Sequence, residues 1–491
     1  MWAFLTATFS LAALASAQTV RVDRLKADLT FLTSREMKGR AALENGTALA
    51  ARFLAAELAK AGVKPCCDGS YLQEFELTSA PLDTEQSVVE WQGEKIGFTG
   101  GHPRPIEIRG PVVFAGYGVT APEHNWDDYA DIDVKGKVVL IFEREPRESD
   151  EKSVFLGRGL TKHAAARSKR LNAQEHGALA VLVLPNGRSA AAPADPNPNR
   201  GGARTLYDEA IRTPMLTLRK ETAVKMLPEF GKIQEALDES GKPASRALDG
   251  SVRIKLVPRR AETARCWNVL GWIEGSDPKL RREAVLIGSH YDHLPNKGEY
   301  VYPGANDNGS GTVVVVELAR IFAAGKKKLR RSVIFASFGA EENGLLGSYY
   351  YVAKPPPGLP KVTAVINLDM VGRDEAHTSQ TEGRVPVPAE TLRLMNVIGG
   401  AYFPELARVI ERANRAIGFD LDSKYDRDSS QSALWRCDHF PFLIAGIPAV
   451  WLFGGWHPGY HEPSDTADKI NWDKMERVTR LAYLAAEELA R

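Results

Sequence analysis

The sequence predicts an α/β fold, a three-layer sandwich in which a mixed, largely parallel central sheet carries helices on both faces. Two observations lead to it. From Cys266 onward, apolar β-like runs ("EAVLIGSH", "RSVIFASF", "VTAVINLD", "IPAVWLF") alternate with runs of helical spacing ("GTVVVVELARIFAA", "PELARVIERANRAIG", "KMERVTRLAYLAAEELA"), the pattern of strands joined by covering helices. Acids and histidines also recur at the ends of these apolar runs or in glycine-rich turns, where open α/β sheets present their binding side chains.

Taken in chain order, residues 1–17 ("MWAFLTATFSLAALASA") carry no charged side chain and end in Ala-Ser-Ala, so they read as a secretory signal peptide cleaved after Ala17, with a secreted or periplasmic product. The stretch is short for a spanning helix and no later segment is long and apolar enough, so stable membrane insertion is not expected. "VDRLKADLTFLTS" and "GTALAARFLAAELAKAG" have helical apolar spacing, the second ending in Gly62, and residues 18–109 are assigned to a helical N-terminal part of the main domain. Residues 110–258 change texture: short β-rich runs ("GPVVFAGYG", "KGKVVLIFE", "ALAVLVLP") alternate with charged loops, one helix-like stretch ("KHAAARSKRLNAQEHG") and an exposed loop ("PADPNPNRGGAR"), as in a separate inserted module. His163 and His176 within it read as surface or structural histidines. Residues 259–491 form the main domain.

A chain of 491 residues, 44% hydrophobic and 25% charged, is ordinary globular material with room for a large core. With 63 Lys and Arg against 62 Asp and Glu there is no basic excess to suggest a nucleic acid or an anionic membrane as partner. The 4 cysteines are too few for a disulfide scaffold, and without a CxxC pair a structural thiolate zinc site is not expected; whether Cys66 or Cys67 pairs with a distant cysteine is open.

The chemistry lies in the main domain. His290 ends "AVLIGSH" and is followed by Asp292, an acid placed to orient the imidazole. Asp307 sits in "GANDNGSG", among glycines that let backbone approach an ion closely. Glu341 and Glu342 follow an apolar strand, where adjacent buried carboxylates are costly unless cations or protons compensate. Asp369 ends "VTAVINLD", and Tyr460 and His461 lie in the loop after "PAVWLF". Oxygen and imidazole donors without thiolates suit zinc or a similar divalent ion, and a pair of ions requires a bridging carboxylate. The implied reaction is metal-assisted hydrolysis, with one glutamate free to move protons and the Tyr460 phenol available to a developing oxyanion.

The ordered motifs resemble those of the co-catalytic di-zinc aminopeptidases of metallopeptidase family 28, in the MH clan, over roughly residues 266–491. That resemblance implies two zinc ions, one held by His290 and Asp369 and the other by Glu342 and His461. It also implies Asp307 as the bridge, Glu341 as the proton-transfer residue acting with a metal-bound hydroxide, and Tyr460 as the oxyanion donor. The segment "CDHFPFLIAGIPAVWLF" is similar to the family's, with Cys437 where serine is common; "LTFLTSREMKGR" resembles its opening helix and loop, and the inserted module resembles its protease-associated domain. The family fold is a mixed eight-stranded sheet between helices. Removal of N-terminal residues is the expected activity. The alternatives are a carboxypeptidase or dipeptidase, for which Arg373, Arg427 and Arg436 could clamp a carboxylate, a one-zinc glutaminyl cyclase, and a non-catalytic receptor-like protein. Phe453, Trp456 and Tyr460 are candidates to line an apolar pocket.

Overall fold

The computed structural model of the chain describes residues 19–185, 204–205, 212–325 and 329–491. The expected signal peptide at residues 1–17, and residues 193–203 of the expected exposed loop, lie outside them.

Four parallel strands form the middle of the larger sheet: Glu283–His290 lies between Ser332–Phe338 and Lys361–Asp369, and the latter pairs with Ala449–Phe453. Their side chains are buried almost throughout, because helices cover both faces and leave no position for the polar alternation of a one-sided sheet. Antiparallel strands extend it on both sides, Glu262–Ile273 and Leu72–Ser79 beyond Ser332–Phe338, and Leu394–Ile398 beyond Ala449–Phe453, with Asp420–Asp422 outermost and parallel to it. The sheet is thus mixed, with a parallel centre. Two strands of two residues, Lys64–Pro65 and Arg204–Thr205, bring the total among the described residues to 10, the expected mixed eight-stranded sheet with two short additions.

One face is covered by Val22–Leu32, Asn45–Ala61, Gly311–Ala324 and Trp472–Ala490, whose Leu25, Leu54, Val314, Leu318, Met475 and Leu481 join one buried cluster with Ile287 and Ile366 of the sheet. Gly311–Ala324 contains Val313, Val314, Val315 and Val316, poor helix formers because χ1 is restricted, yet all four are buried. Each contributes roughly 1.5–3 kcal/mol of burial, several times the propensity it forfeits, so packing rather than intrinsic preference makes this a helix. Arg320 on that helix donates to Asp28, Glu57 and Glu317 at 2.7, 2.6 and 3.3 Å, tying three helices together. The opposite face packs Leu346–Ala353 and His439–Ile444 through Tyr351 and Phe442.

A second sheet of 8 strands has its own core, including Phe114, Leu140, Phe142, Leu182, Leu216 and Ile254. It begins at Val88–Trp91, upstream of residue 110, and ends with Arg246–Leu256. Three of its pairings are parallel, Ile106–Phe114 with Val138–Phe142, that strand with Ala180–Leu184, and the last with Met215–Leu218, and the helix Ala166–Glu175 falls within the predicted helix-like stretch. The chain leaves the large sheet after Ser79, touches its edge again where Arg204–Thr205 pairs with Thr78 and Ser79, and rejoins it at Glu262, whose direct partner in the ladder is Ser79. Ala165 of the inserted unit packs into a buried cluster with Leu345, Met370 and Trp456, and Arg167 lies 4.4 Å over the Tyr349 ring. His163 contacts Glu123 at 2.9 Å and His176 stacks on Tyr129, so both histidines serve the unit's own structure. Cys66 and Cys67 form a disulfide with each other, while Cys266 and Cys437 are buried free thiols.

A candidate metal centre at the carboxyl edge of the sheet

The carboxyl ends of the four parallel strands meet in one place. His290 is the last residue of its strand and Asp369 the last of its own; Glu341 and Glu342 follow the strand Ser332–Phe338, and Tyr460 and His461 the strand Ala449–Phe453. Asp307 enters from the turn Ala305–Ser310 that opens the helix Gly311–Ala324. The turn starts at Gly304 with φ +55°, and a Cβ there would lie 2.2 Å from the Asp307 carbonyl and 2.6 Å from the His293 ring, so only glycine fits.

The histidine Nε2 atoms face shared carboxylates. His290 Nε2 is 3.4 Å from Asp307 Oδ1, 3.5 Å from Asp369 Oδ1 and 3.8 Å from Glu341 Oε2. His461 Nε2 is 3.1 Å from Asp307 Oδ2 and 3.2 Å from Glu342 Oε1. Asp307 therefore turns one oxygen to each imidazole. Tyr460 stacks on the His461 ring at 3.8 Å and meets Trp456 edge-on. Phe453 and Trp456 are fully buried in the core, leaving Tyr460 as the partly exposed aromatic beside the site.

Residues that sequence reasoning passed over complete the cluster. His293 is fully buried with Nδ1 2.9 Å from Glu342 Oε1 and 3.7 Å from Asp307 Oδ2. Asp465 accepts the backbone N–H groups of Asn306 and Asp307, both at 3.0 Å, and so fixes the Asp307 turn. Asp438 accepts from Ser348 at 2.5 Å. Arg40 is fully buried and donates to the carbonyls of Tyr291 (2.8 Å), Leu32 (2.7 Å), Pro303 (2.6 Å) and Gly304 (2.9 Å), pinning the loops on either side of Asp292 and Asp307. It can reach them because Gly39, at φ +73°, brings the chain against the Leu294 carbonyl, which a Cβ would overlap at 2.1 Å. Arg40 ends the motif "LTFLTSREMKGR", and Asp438 and Asp465 lie within "CDHFPF" and "HPGYHEPSDT", so motif membership was the available signal.

Asp292 holds a different place from the one expected. The His290 Nδ1 is 3.1 Å from the backbone carbonyl of Asp292 and 3.8 Å from its carboxylate, so the carbonyl orients the ring and leaves Nε2 to face the acids. The carboxylate instead accepts the backbone N–H groups of Glu341 and Glu342 at 3.0 and 3.3 Å. The Cys437 thiol donates to Asp369 Oδ2 at 3.0 Å, taking a hydroxyl's place, and burial raises its pKa well above the ordinary value. Of the candidate carboxylate clamps, Arg427 is occupied by Asp422 and Ser423, Arg436 lies 5.2 Å over the Trp456 ring, and Arg373 stands 3.9 Å from Asp465.

The electrostatics call for cations. Burial pushes Glu341 well above its usual range, with Glu342, Asp438 and Asp369 adding to it against the pull of His290, and burial raises Asp292 and Asp438 to about 7 and Asp465 to about 6. Asp307 moves the other way, well below the usual range, because the surrounding imidazoles outweigh its burial. Burial alone would lower His461, but Glu342 and Asp307 hold it at about 9. Glu342 Oε1, Asp369 Oδ1 and both ring nitrogens of His293 are buried without a hydrogen-bond partner. So many carboxylates in a dry site, with orphaned donor atoms turned inward, fit divalent cations and little else. Tetrahedral coordination at about 2.0–2.1 Å would place zinc donors roughly 3.3 Å apart, close to the separations seen.

Residues 268–486 match the model of peptidase family M28, and residues 108–226 that of the PA domain. Fold, site and matches define a metal-dependent peptide hydrolase, in which the domain that carries the site matches peptidase family M28 and an inserted domain matches the PA domain. It is 27% identical to aminopeptidase YwaD of Bacillus subtilis over 386 residues, covering 76% of this chain and 67% of that protein. It is 25% identical over 429 residues to the probable lipoprotein aminopeptidase LpqL of Mycobacterium tuberculosis, covering 82% and 72%. The solved aminopeptidase from Aneurinibacillus sp. strain AM-1 shares the fold, with TM-score 0.50 and 22% identity over 96% of this chain and 95% of that one.

Proposed function

We propose that the protein is an exported aminopeptidase that removes N-terminal residues from peptides with the help of two zinc ions. The observation that carries this is the Asp307 carboxylate, whose Oδ1 faces His290 and whose Oδ2 faces His461, as a bridge between two ions requires. In this reading His290 and Asp369 hold one ion and Glu342 and His461 the other. When bound, the ions supply Lewis acidity to polarise a water molecule and the scissile carbonyl. Glu341, held next to the cluster and raised in pKa, takes the proton from the attacking water and passes it to the departing amine. The Tyr460 phenol stays protonated, its pKa raised by burial and by Asp307, and donates to the developing oxyanion. Asp292 positions Glu341 and Glu342 through their backbone, and Cys437 steadies Asp369.

Removal from the N-terminal end is supported by the aminopeptidase names of the relatives and by the other engagements of Arg427 and Arg436. Export is supported by the leader-like residues 1–17 and by the lipoprotein relative, and among the described residues no helix is long and apolar enough to cross a membrane. We place the inserted domain between Ser79 and Glu262, wider than residues 110–258, because 8 strands between Val88 and Leu256 share one sheet separate from the large one. The test is a panel of free-amine and N-blocked peptides, with zinc measured in the same preparations. Cleavage confined to free-amine substrates, with two zinc ions per chain, is expected; turnover of N-blocked peptides from the C-terminus would overturn the polarity.

A further inference from the structure

We infer that His293 is a direct ligand of one ion, so that the two metal positions are unequal: one is enclosed by four protein donors and the other stays open to water and substrate. This rests on the two-ion reading above and goes beyond its ligand set. His293 follows His290 by three residues, yet its ring lies on the far side of Asp307, among the donors of the second position. Nδ1 stands 2.9 Å from Glu342 Oε1 and 3.7 Å from Asp307 Oδ2, and His461 Nε2 stands 3.2 and 3.1 Å from the same two oxygens. These separations straddle the roughly 3.3 Å expected between donors around a tetrahedral zinc. His293 Nδ1, Asp307 and Glu342 all present donor atoms within 4.8 Å of one another.

Among the described residues, nothing else uses this imidazole. It is fully buried, and neither ring nitrogen has a hydrogen-bond partner despite the short approach to Glu342. An interior imidazole left in that state is costly, and a cation at Nδ1 removes the larger part of the cost. The packing also commits the ring: it lies edge-on to His461 at 5.6 Å, and Gly304 leaves the space it fills.

The other position offers His290 Nε2, Asp307 Oδ1 and Asp369 Oδ1, with Glu341 Oε2 beside them at 3.8 Å from the imidazole and assigned to proton transfer rather than to the ion. Three protein donors leave a coordination site vacant, as catalytic zinc positions do, whereas four close it, as structural positions do. Two imidazoles and two carboxylates also favour a borderline ion such as zinc over an oxygen-seeking one such as magnesium. The enclosed position therefore holds its zinc more tightly, and the open position loads last and is stripped first.

The test is zinc binding to full-length protein freed of metal, followed by calorimetry and by metal analysis after dialysis. Wild type should load in two steps at least 10-fold apart in affinity. H293A should lose the tighter step, its affinity falling about 100-fold, and dialyse to about one ion per chain, while H290A should lose the weaker step and keep the tight ion. Zinc-dependent 15N shifts of the histidine ring nitrogens in wild-type protein provide a check that needs no variant: three metal-bound imidazoles are expected. Two bound imidazoles, or an H293A protein that binds two ions with wild-type affinities, would overturn the assignment of His293 and leave the two-ion reading intact. A wild-type protein that binds no zinc would overturn both.

Discussion

Replacing Arg40 by methionine keeps the volume of the side chain and removes four donated hydrogen bonds, those to Leu32, Tyr291, Pro303 and Gly304. Gly304 keeps a second partner, the N–H of Gly309, so the exposed loss falls on the other three carbonyls. A buried acceptor left without a donor costs about 1–3 kcal/mol, which sets a range of about 3–9 kcal/mol, and local relaxation or an entering water moves the result toward about 3–5 kcal/mol. That is a large share of the roughly 5–15 kcal/mol that keeps a domain folded. Lysine, with one ammonium in place of a planar fork, should recover one or two of the bonds and about half the loss. Urea unfolding would read this as a drop in midpoint at constant slope, in the order wild type, R40K, R40M. An R40M protein within about 1 kcal/mol of wild type would refute the view that this guanidinium fastens the two loops carrying the site.

Three further outcomes are expected. E341Q should retain its ions, measured by metal analysis, while kcat falls about 100- to 10,000-fold, the usual weight of a general acid–base group; near-normal kcat would remove Glu341 from that role. Chelation of the metal should lower Tm, because ions that bind only the folded state stabilise it by mass action, and restoring zinc should restore Tm; an unchanged Tm would mean that the buried acids need no cations. The third concerns Glu145, a carboxyl in the inserted domain that burial raises from 4.5 to about 8 even though it accepts from Thr161. The folded state holds this proton more tightly than the unfolded one, so its contribution is full below about pH 4.5 and is lost as pH rises through about 8, at up to about 1.4 kcal/mol per pH unit. E145Q should flatten Tm between about pH 5 and about pH 8, and an unaltered pH profile would count against the buried neutral carboxyl.

The parallel strands and the polar residues that end them were legible because a charged side chain at the end of an apolar run stands out from its surroundings. His290, Asp369 and the Glu341–Glu342 pair are of that kind. His293 was not: it lies in irregular chain beyond the strand, where no periodicity says which way a side chain turns. Arg40 and Asp465 act through backbone atoms far away in sequence, a relation that spacing does not encode. The helical run of valines was read correctly only because its neighbours carried the period, while the two-residue strands and the early start at Val88 depend on long-range pairing. Asp292 does meet the His290 ring, but with its carbonyl at 3.1 Å nearer than its carboxylate at 3.8 Å, a distinction between two oxygens of one amino acid that spacing does not encode.

The pairing of Ser79 with Glu262 places the two junctions of the insertion about one inter-strand spacing apart, roughly 4.8 Å. Seen from the catalytic sheet, the stretch between them is an overgrown hairpin tip that returns at the sheet's edge, where Arg204–Thr205 pairs with Thr78 and Ser79, and its length can change without shifting the central strands that present the ligands. What it cannot do freely is turn away, because Ala165 and Arg167 lean on Leu345 and Tyr349, a few residues beyond Glu341 and Glu342. The appendage is thus tolerant in size yet fastened at one flank, and any sequence grafted in its place would have to supply that buttress anew.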